Sequence, residues 1–119
     1  MDLFSVSALF VCENVPALPN EGERLWEEQI VCLSCFEDEV LERAARYFQS
    51  QEVEYETTDG GKAKWKFYGV IDIYHIPESK KFDKIDTPVE FFSRLLTDRQ
   101  AKELCRNSKV LKMRKWNAD

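Results

Sequence analysis

The chain has 119 residues, of which 44% are hydrophobic and 33% are charged, and its net charge is −5 at pH 7. This length fits a single domain, and the balance of apolar and charged residues excludes a disordered chain. No apolar stretch approaches the roughly 18 residues of a membrane-spanning helix, and no export signal is recognisable, so we expect a cytoplasmic protein that does not bind membranes and whose four cysteines are reduced thiols.

The charges are unevenly divided along the chain. Residues 1–60 carry a net charge of −11, whereas residues 61–119 carry +6. The simplest interpretation is that the two halves neutralise each other within one fold. The alternative is an acidic face and a basic face, each with its own partner.

Two strands are predicted at the start of the chain, because apolar side chains recur at every second position over residues 3–13 and 24–34. In the second of these, Trp26, Ile30 and Cys32 share one side. Its far end is apolar on both sides, which indicates that elements cover it on both faces. The segment between the two strands contains prolines and glycine and is expected to be a loop.

A helix is predicted over residues 37–51, where apolar residues recur at helical spacing and acidic residues stand at the N-terminal end. A short strand over 53–57 follows, then a turn at Asp59-Gly60-Gly61 and a long strand over 63–76. Trp65, Phe67, Ile71 and Ile73 are expected to share one face of this long strand. Because it is about twice as long as its hairpin partner, its far half must pair with the first or second strand.

The segment 89–96 (Val-Glu-Phe-Phe-Ser-Arg-Leu-Leu) fits two structures. Thr87 to Glu90 has the form of a helix capping box with proline at the first helical position. The aromatic and β-branched residues permit a strand instead. Thr97, with Gln100 three residues on, predicts a helix that ends near Asn107.

The predicted architecture is α+β: an antiparallel sheet with a β-β-α-β-β core and a further strand, a helix packed on one face, and a C-terminal helix. The core covers residues 3–96, and the C-terminal helix and a basic tail follow over 97–119.

Several spaced positions carry a family resemblance. They are Phe4-Ser5-Val6, Leu25 to Glu28 with Ile30-Val31, Ala44, Asp59-Gly60, Trp65-Lys66-Phe67 to Val70-Ile71-Asp72, and Val89 to Arg94. In these positions the chain resembles a bacterial domain-of-unknown-function family, number 4288. The resemblance favours a strand at 89–96 and implies no activity and no catalytic residue. The chain departs from the family in Cys32, Cys35 and the basic extension after residue 97.

Cys32-Leu33-Ser34-Cys35 has the spacing of a redox or zinc motif. The acidic residues that follow would raise the pKa of a nearby thiol, whereas a redox thiol needs a lowered one. Zinc would need two more ligands, for which only the distant Cys12, Cys105 and His75 are available. We therefore expect structural thiols, no metal and no cofactor. We also expect no catalytic role for His75, because a hydrolytic triad needs a nucleophile and a carboxylate oriented to the histidine, and the sequence shows neither.

The outer face of the long strand supplies the candidate binding residues. Tyr68, Asp72 and Tyr74 alternate along it, and Glu27 and Gln29 are expected to join them from the second strand. Tyrosines beside carboxylates on a sheet face are typical of protein-binding surfaces. The alternative is that the C-terminal helix covers this face.

Glu28 is expected to point inward with Trp26. A carboxylate there must form an ion pair, with Arg43 or Arg46 as candidate partners, or have a raised pKa. The simpler interpretation is a salt bridge at the strand end. The alternative is that Glu28 is a polar anchor for a ligand in a binding cleft.

The leading hypothesis is a non-enzymatic protein-interaction module, of inhibitor or immunity type, whose partner is another protein. The charge of −11 in the first 60 residues would speed encounter with a basic partner. The alternative is a small-ligand-binding protein or enzyme with a site on the open sheet face, built from Glu27, Asp72 and Tyr74. Nucleic-acid binding through residues 109–119 is a third, less favoured class, and a homo-oligomer is left open.

Overall fold

The structure, a computed structural model, describes residues 2–15, 24–58, 60–77 and 87–113. Its elements are β1 (Asp2–Val15), β2 (Trp26–Cys35), a 3-10 turn (Glu37–Glu39), α1 (Val40–Ser50), β3 (Val53–Glu56), β4 (Lys62–Ile76), β5 (Val89–Leu96), α2 (Asp98–Asn107) and α3 (Lys109–Met113). The predicted turn residue Asp59, most of the loop over 77–88 and tail residues 114–119 lie outside the described part.

The five strands form one antiparallel sheet in the order β3-β4-β1-β2-β5. The predicted α+β class is therefore confirmed. β4 pairs with β1 from Leu3 opposite Ile76 to Val15 opposite Lys62, so the long strand does find the partner that its far half needed. At the β3–β4 hairpin, Gly60 has a φ of 86°, a backbone conformation that glycine adopts without steric cost.

Residues 89–96 form a strand, β5, and the helical interpretation of this segment is wrong. β5 pairs with β2, which leaves it at one edge of the sheet, and β3 forms the other edge. The helix predicted after it is confirmed. Thr97 accepts a hydrogen bond from the Gln100 backbone N–H at 3.2 Å, and the Gln100 side chain accepts one from the Thr97 N–H at 2.9 Å.

Two irregularities in the β1–β4 pairing change which side chains share a face. The register shifts between Ser7 and Ala8 and again between Leu9 and Phe10. A bulge adds a residue to one strand and moves the following side chains to the other face. As a result Ile71 does not join Phe67 as predicted. It packs on the opposite side of the sheet.

α1 covers one face of the sheet, which we call the α1 face. Phe48 of the helix is fully buried there and stacks on Phe67 at a ring distance of 5.7 Å, while Phe10 meets it edge-on at 6.0 Å. Val6, Val31 and other strand residues complete this core. Burial of these side chains is the main term that holds α1 on the sheet.

α2 covers part of the opposite face, which we call the α2 face. Ala101 is fully buried against a second apolar cluster, whose other members are Leu9, Val11, Trp26, Ile71 and Leu96. The small alanine lets the helix backbone approach the sheet closely. The far end of β2 was expected to be covered on both faces. Val31 and Leu33 are fully buried on the α1 face, whereas Ile30 and Cys32 on the α2 face are only half-buried, because α2 packs at the Trp26 end of the strand.

Ion pairs join the acidic first half of the chain to the basic second half. Lys62 Nζ lies 3.4 Å from Glu54 Oε1, and Lys66 Nζ lies 3.8 Å from Glu13 Oε2. These pairs lie on neighbouring strands of one sheet. Part of the net charge of −11 on the first 60 residues is thus neutralised within the fold. This agrees with the simpler interpretation, in which the two halves of the chain neutralise each other.

Candidate functional site

The five predicted binding residues lie on two opposite faces of the sheet. Tyr74 lies opposite Ser5, and Asp72 opposite Ser7, on the α2 face. Glu27 and Gln29 lie opposite Phe10 and Ala8, and therefore on the α1 face. There Gln29 Nε2 donates a 2.6 Å hydrogen bond to Glu27 Oε1. The predicted set does not form one surface, because Trp26 faces α2 and its neighbour Glu27 must face the other way.

Tyr68 lies on the α2 face, where it is 45% exposed but also contacts neighbouring residues. Its ring meets the ring of Trp26 edge-on at 5.0 Å, and it hydrogen-bonds to Cys105 of α2. Asp72 and Tyr74 lie further along β4 and are exposed. α2 thus buries Trp26 beside Tyr68 but leaves Tyr68, Asp72 and Tyr74 themselves exposed, so the C-terminal helix covers only part of this face.

A cleft of about 430 Å³ opens at the border of the covered part, between the sheet and the C-terminal helices. Its floor is formed by Ser7, Glu28, Ile71 and Asp72 of the strands, and its wall by Leu104, Asn107, Ser108, Lys109 and Val110. The volume lies in the range of small-molecule sites. Acceptor groups thus lie mainly on the floor, and the cationic donor Lys109 lies on the wall.

Ser108 fixes the wall of the cleft to its floor. Its side chain is buried and donates a 2.7 Å hydrogen bond to the carbonyl oxygen of Ile71. The same hydroxyl oxygen accepts a 3.1 Å hydrogen bond from the Leu111 N–H. The bond to Ile71 is available because the irregular pairing of β4 leaves that carbonyl accessible to the helices.

Glu28 is the buried polar residue of the cleft. It is 7% exposed, and its Oε1 accepts a 2.7 Å hydrogen bond from Arg94 Nε of β5. The prediction that Glu28 needs an ion pair is confirmed, but the suggested partners Arg43 and Arg46 were wrong. Those arginines lie on α1, on the other side of the sheet, whereas Arg94 lies directly opposite Glu28 in the β2–β5 pairing.

The two cysteines of the Cys-x-x-Cys sequence both lie within β2. Because they are three residues apart in a strand, they point to opposite faces. Cys35 is buried in the α1-face core, and Cys32 lies opposite Ser5 on the α2 face. Burial raises the pKa of both thiols. Both observations favour structural thiols, since a redox pair needs adjacent sulfurs and one lowered pKa.

His75 is exposed at the end of β4. Its Nε2 lies 3.7 Å from Asp2 Oδ1, and its ring lies 5.3 Å from the ring of Phe4. Over the described ranges, no group of three or more His, Cys, Asp or Glu residues is arranged to hold a metal ion.

The exposed edge formed by β5 is the largest feature that the sequence did not predict, although a strand was one of the two interpretations of this segment. Seven of its eight residues are exposed, including Phe91 at 57% and Leu95 at 62%. A signal was present in the sequence, because Phe91-Phe92 and Leu95-Leu96 are adjacent apolar pairs. In a strand, one member of each pair must point away from whichever face is buried.

The opposite edge, β3, has a different character. It is four residues long, and Glu54 and Glu56 alternate with the exposed Val53 and Tyr55. A short, charged edge is the usual protection against pairing with another chain. β5 is twice as long, with eight residues, and its Arg94 is bound to Glu28. It carries one exposed carboxylate, Glu90, and its pairing with β2 is irregular at Phe91.

Comparison with protein-family models, with curated proteins and with solved structures finds no match to this chain. The resemblance to the bacterial domain-of-unknown-function family therefore stays a prediction. Among the helices in the described residues, none has the length and apolar character that crossing a bilayer requires.

Proposed function

We propose that the protein is a protein-interaction module that binds an extended segment of a partner protein along the free edge of β5. In this mode a strand of the partner adds to the sheet and pairs with the outward backbone groups of the edge strand. The observation that carries the proposal is the exposure of Val89, Phe91, Phe92 and Leu95 along one edge strand.

The length of β5 supports this mode of binding. Eight residues of strand span about 26 Å, which is enough to pair with a full strand of a partner. The exposed apolar side chains flank this backbone edge, so a partner strand would bury them while its main chain forms the ladder. Exposed, long and apolar edge strands are otherwise removed by selection because they promote aggregation.

The charges beside the edge favour a basic partner. Glu27 lies next to β5, opposite Leu95, and Glu90 lies within it. Burial, and then the negative charge of Glu90, raises the pKa of the Tyr47 phenol, which places Glu90 on the α1 face with Glu27. Neither carboxylate has an ion-pair partner among the residues that the structure describes. A partner strand with Lys or Arg at alternate positions would supply the missing cations.

These two carboxylates are a more local basis for a basic partner than the charge of the first 60 residues, because part of that charge is paired within the sheet. Whether the partner is a toxin or nuclease that this protein inhibits stays a hypothesis about the partner's identity.

A photo-crosslinking experiment tests the proposal. The crosslinking residue p-benzoylphenylalanine is placed at Phe91 in β5 and, as a matched control, at Tyr55 in β3, which is similarly exposed at 50%. Both are exposed aromatic positions on edge strands of the same sheet. Irradiation in the native cells should join the Phe91 variant to another protein, which is then purified to show direct binding, and leave the Tyr55 variant unjoined.

Three outcomes would contradict the proposal. They are equal crosslinking from both edges, crosslinking of the Phe91 variant to a second copy of this chain alone, and no adduct from Phe91 in cells where the Phe91 variant is folded and abundant. If charge reversal at Glu27 and Glu90 left binding unchanged, the proposal that the partner strand is basic would be wrong. A charge reversal at Glu54, on the other edge, is the control and should leave binding unchanged.

A further inference from the structure

We propose that the cleft between the sheet and the C-terminal helices binds a small zwitterion, a free amino acid with an apolar side chain. The cleft is separate from the β5 edge, and this site does not depend on the proposed protein partner. Three observations support this site: a buried carboxylate on the floor, the distribution of charge across the cleft and its apolar lining.

The first observation is the buried carboxylate of Glu28. The Glu28 side chain is 9% exposed, and Arg94 occupies Oε1 at 2.7 Å. Glu28 is one of the residues that line the cleft. A carboxylate that is largely removed from water is stabilised by each further charged donor that reaches it. A ligand ammonium group in the cleft would supply such a donor beside Arg94.

The second observation is that opposite charges line opposite sides of the cleft. On the sheet floor stand Glu28, Ser7 and Asp72, and on the helical wall stand Asn107 and Lys109. The positive charges of Arg94 and Lys109 offset the negative charges of Glu28 and Asp72, so the net charge around the cleft is close to zero. A ligand with a single charge would therefore be attracted by one side of the cleft and repelled by the other.

A molecule with separated charges fits both sides. Its ammonium group would lie on the floor between Glu28 and Asp72, with the Ser7 hydroxyl as a further acceptor. Its carboxylate would accept hydrogen bonds from the Lys109 ammonium and the Asn107 side-chain amide. Ile71, Leu104 and Val110 complete the lining and would contact an apolar side chain of the ligand.

A nuclear magnetic resonance titration of the ¹⁵N-labelled full chain tests this site with three matched probes. L-phenylalanine carries both charges, phenethylamine lacks the carboxylate, and 3-phenylpropionate lacks the ammonium group. L-phenylalanine, up to roughly 10 mM, should give saturable shifts of the Ser7, Asp72, Asn107 and Lys109 amides. Each single-charge probe should bind roughly tenfold or more weakly, since it forfeits hydrogen bonds to charged groups.

Variants distinguish the site from general weak binding. Asp72→Asn removes an exposed carboxylate and should weaken L-phenylalanine binding several-fold with the fold intact, which the spectrum itself reports. Glu103→Gln changes a carboxylate of α2 outside this cleft and should leave binding unchanged. The proposal is overturned if neither L-phenylalanine nor L-leucine gives saturable shifts, if the shifts lie outside the cleft, or if phenethylamine binds as tightly as L-phenylalanine.

Discussion

The indole Nε1 of Trp26 donates a 2.9 Å hydrogen bond to Oδ1 of Asp98, and this bond joins β2 to the first turn of α2. Lys102, one helical turn further on, lies 2.7 Å from Oδ2 of the same carboxylate. Hydrogen bonds from Lys102 and Trp26 hold the pKa of Asp98 below its ordinary value. The carboxylate therefore helps to fix α2, which covers part of the α2 face and contributes Leu104 and Asn107 to the wall of the cleft.

Asp98 makes the stability of the fold depend on acidity. Its pKa is lower in the folded than in the unfolded state, so its stabilising contribution is present above the unfolded value of about 4 and is lost as the pH falls through the folded value. Asp98→Asn should therefore lower stability at pH 7 and flatten its decline on acidification. Urea unfolding followed by tryptophan fluorescence measures both, with Glu103→Gln on the same helix as control. A decline on acidification that is as steep in Asp98→Asn as in the wild type would contradict this role.

The ion pair of Glu28 and Arg94 should stabilise the fold more than an exposed pair does. Arg94→Met leaves the buried carboxylate without its cation and should cost about 2 kcal/mol, less than a fully buried pair because Arg94 is half exposed. Arg46→Met breaks the exposed pair with Glu42 and should cost about 0.5 kcal/mol or less. Urea unfolding gives both values. Adding Glu28→Gln to Arg94→Met should recover most of the loss, and no recovery would mean that the charge of Glu28 is not the cause.

The aromatic contact between α1 and the sheet should be the main source of stability on the α1 face. Phe48→Ala removes a fully buried ring and should cost about 3–5 kcal/mol. Phe36→Ala, at an exposed ring just before α1, is the matched control and should change stability by about 0.5 kcal/mol or less. Chemical unfolding measures both variants. Similar losses in the two would show that α1 does not pack on the sheet through Phe48.

Burial raises the pKa of the thiols of Cys32, Cys35 and Cys105. Thiolates are the reactive form, so these residues should be alkylated by iodoacetamide near pH 8 much more slowly in the folded protein than in urea. Mass spectrometry of the labelled peptides gives each rate. Fast labelling of Cys35 in the folded protein would indicate an accessible thiolate and would reopen a redox role for the Cys-x-x-Cys sequence.

Most of the fold could be predicted from the sequence because its elements are locally encoded. The alternation of β1, the helical spacing of α1 and the Thr97–Gln100 capping box each need only neighbouring residues. The segment 89–96 was ambiguous for a physical reason. Its adjacent aromatic residues follow neither a strand nor a helix period, because most of this edge strand is not buried on either face.

The candidate site was harder to predict because it depends on the pairing of distant strands. The irregular pairing of β1 and β4 next to Ala8 moves Ile71 to the α2 face. No local sequence pattern predicts such a bulge. The partner of Glu28 is 66 residues away in the chain and is set by the β2–β5 register. Glu27, in contrast, could have been placed correctly, since it directly follows the inward-facing Trp26 and must point to the other face.

Hydrogen exchange of the β5 backbone amides, in the free protein and with the partner recovered by crosslinking at Phe91, tests the central proposal most directly. The outward-facing amides of β5 have no strand partner in the free protein and should exchange fast. In the complex they should become protected, while the amides of β3 keep their free rates. Protection at β3, at α1 or around the cleft, with β5 unchanged, would contradict binding through this edge.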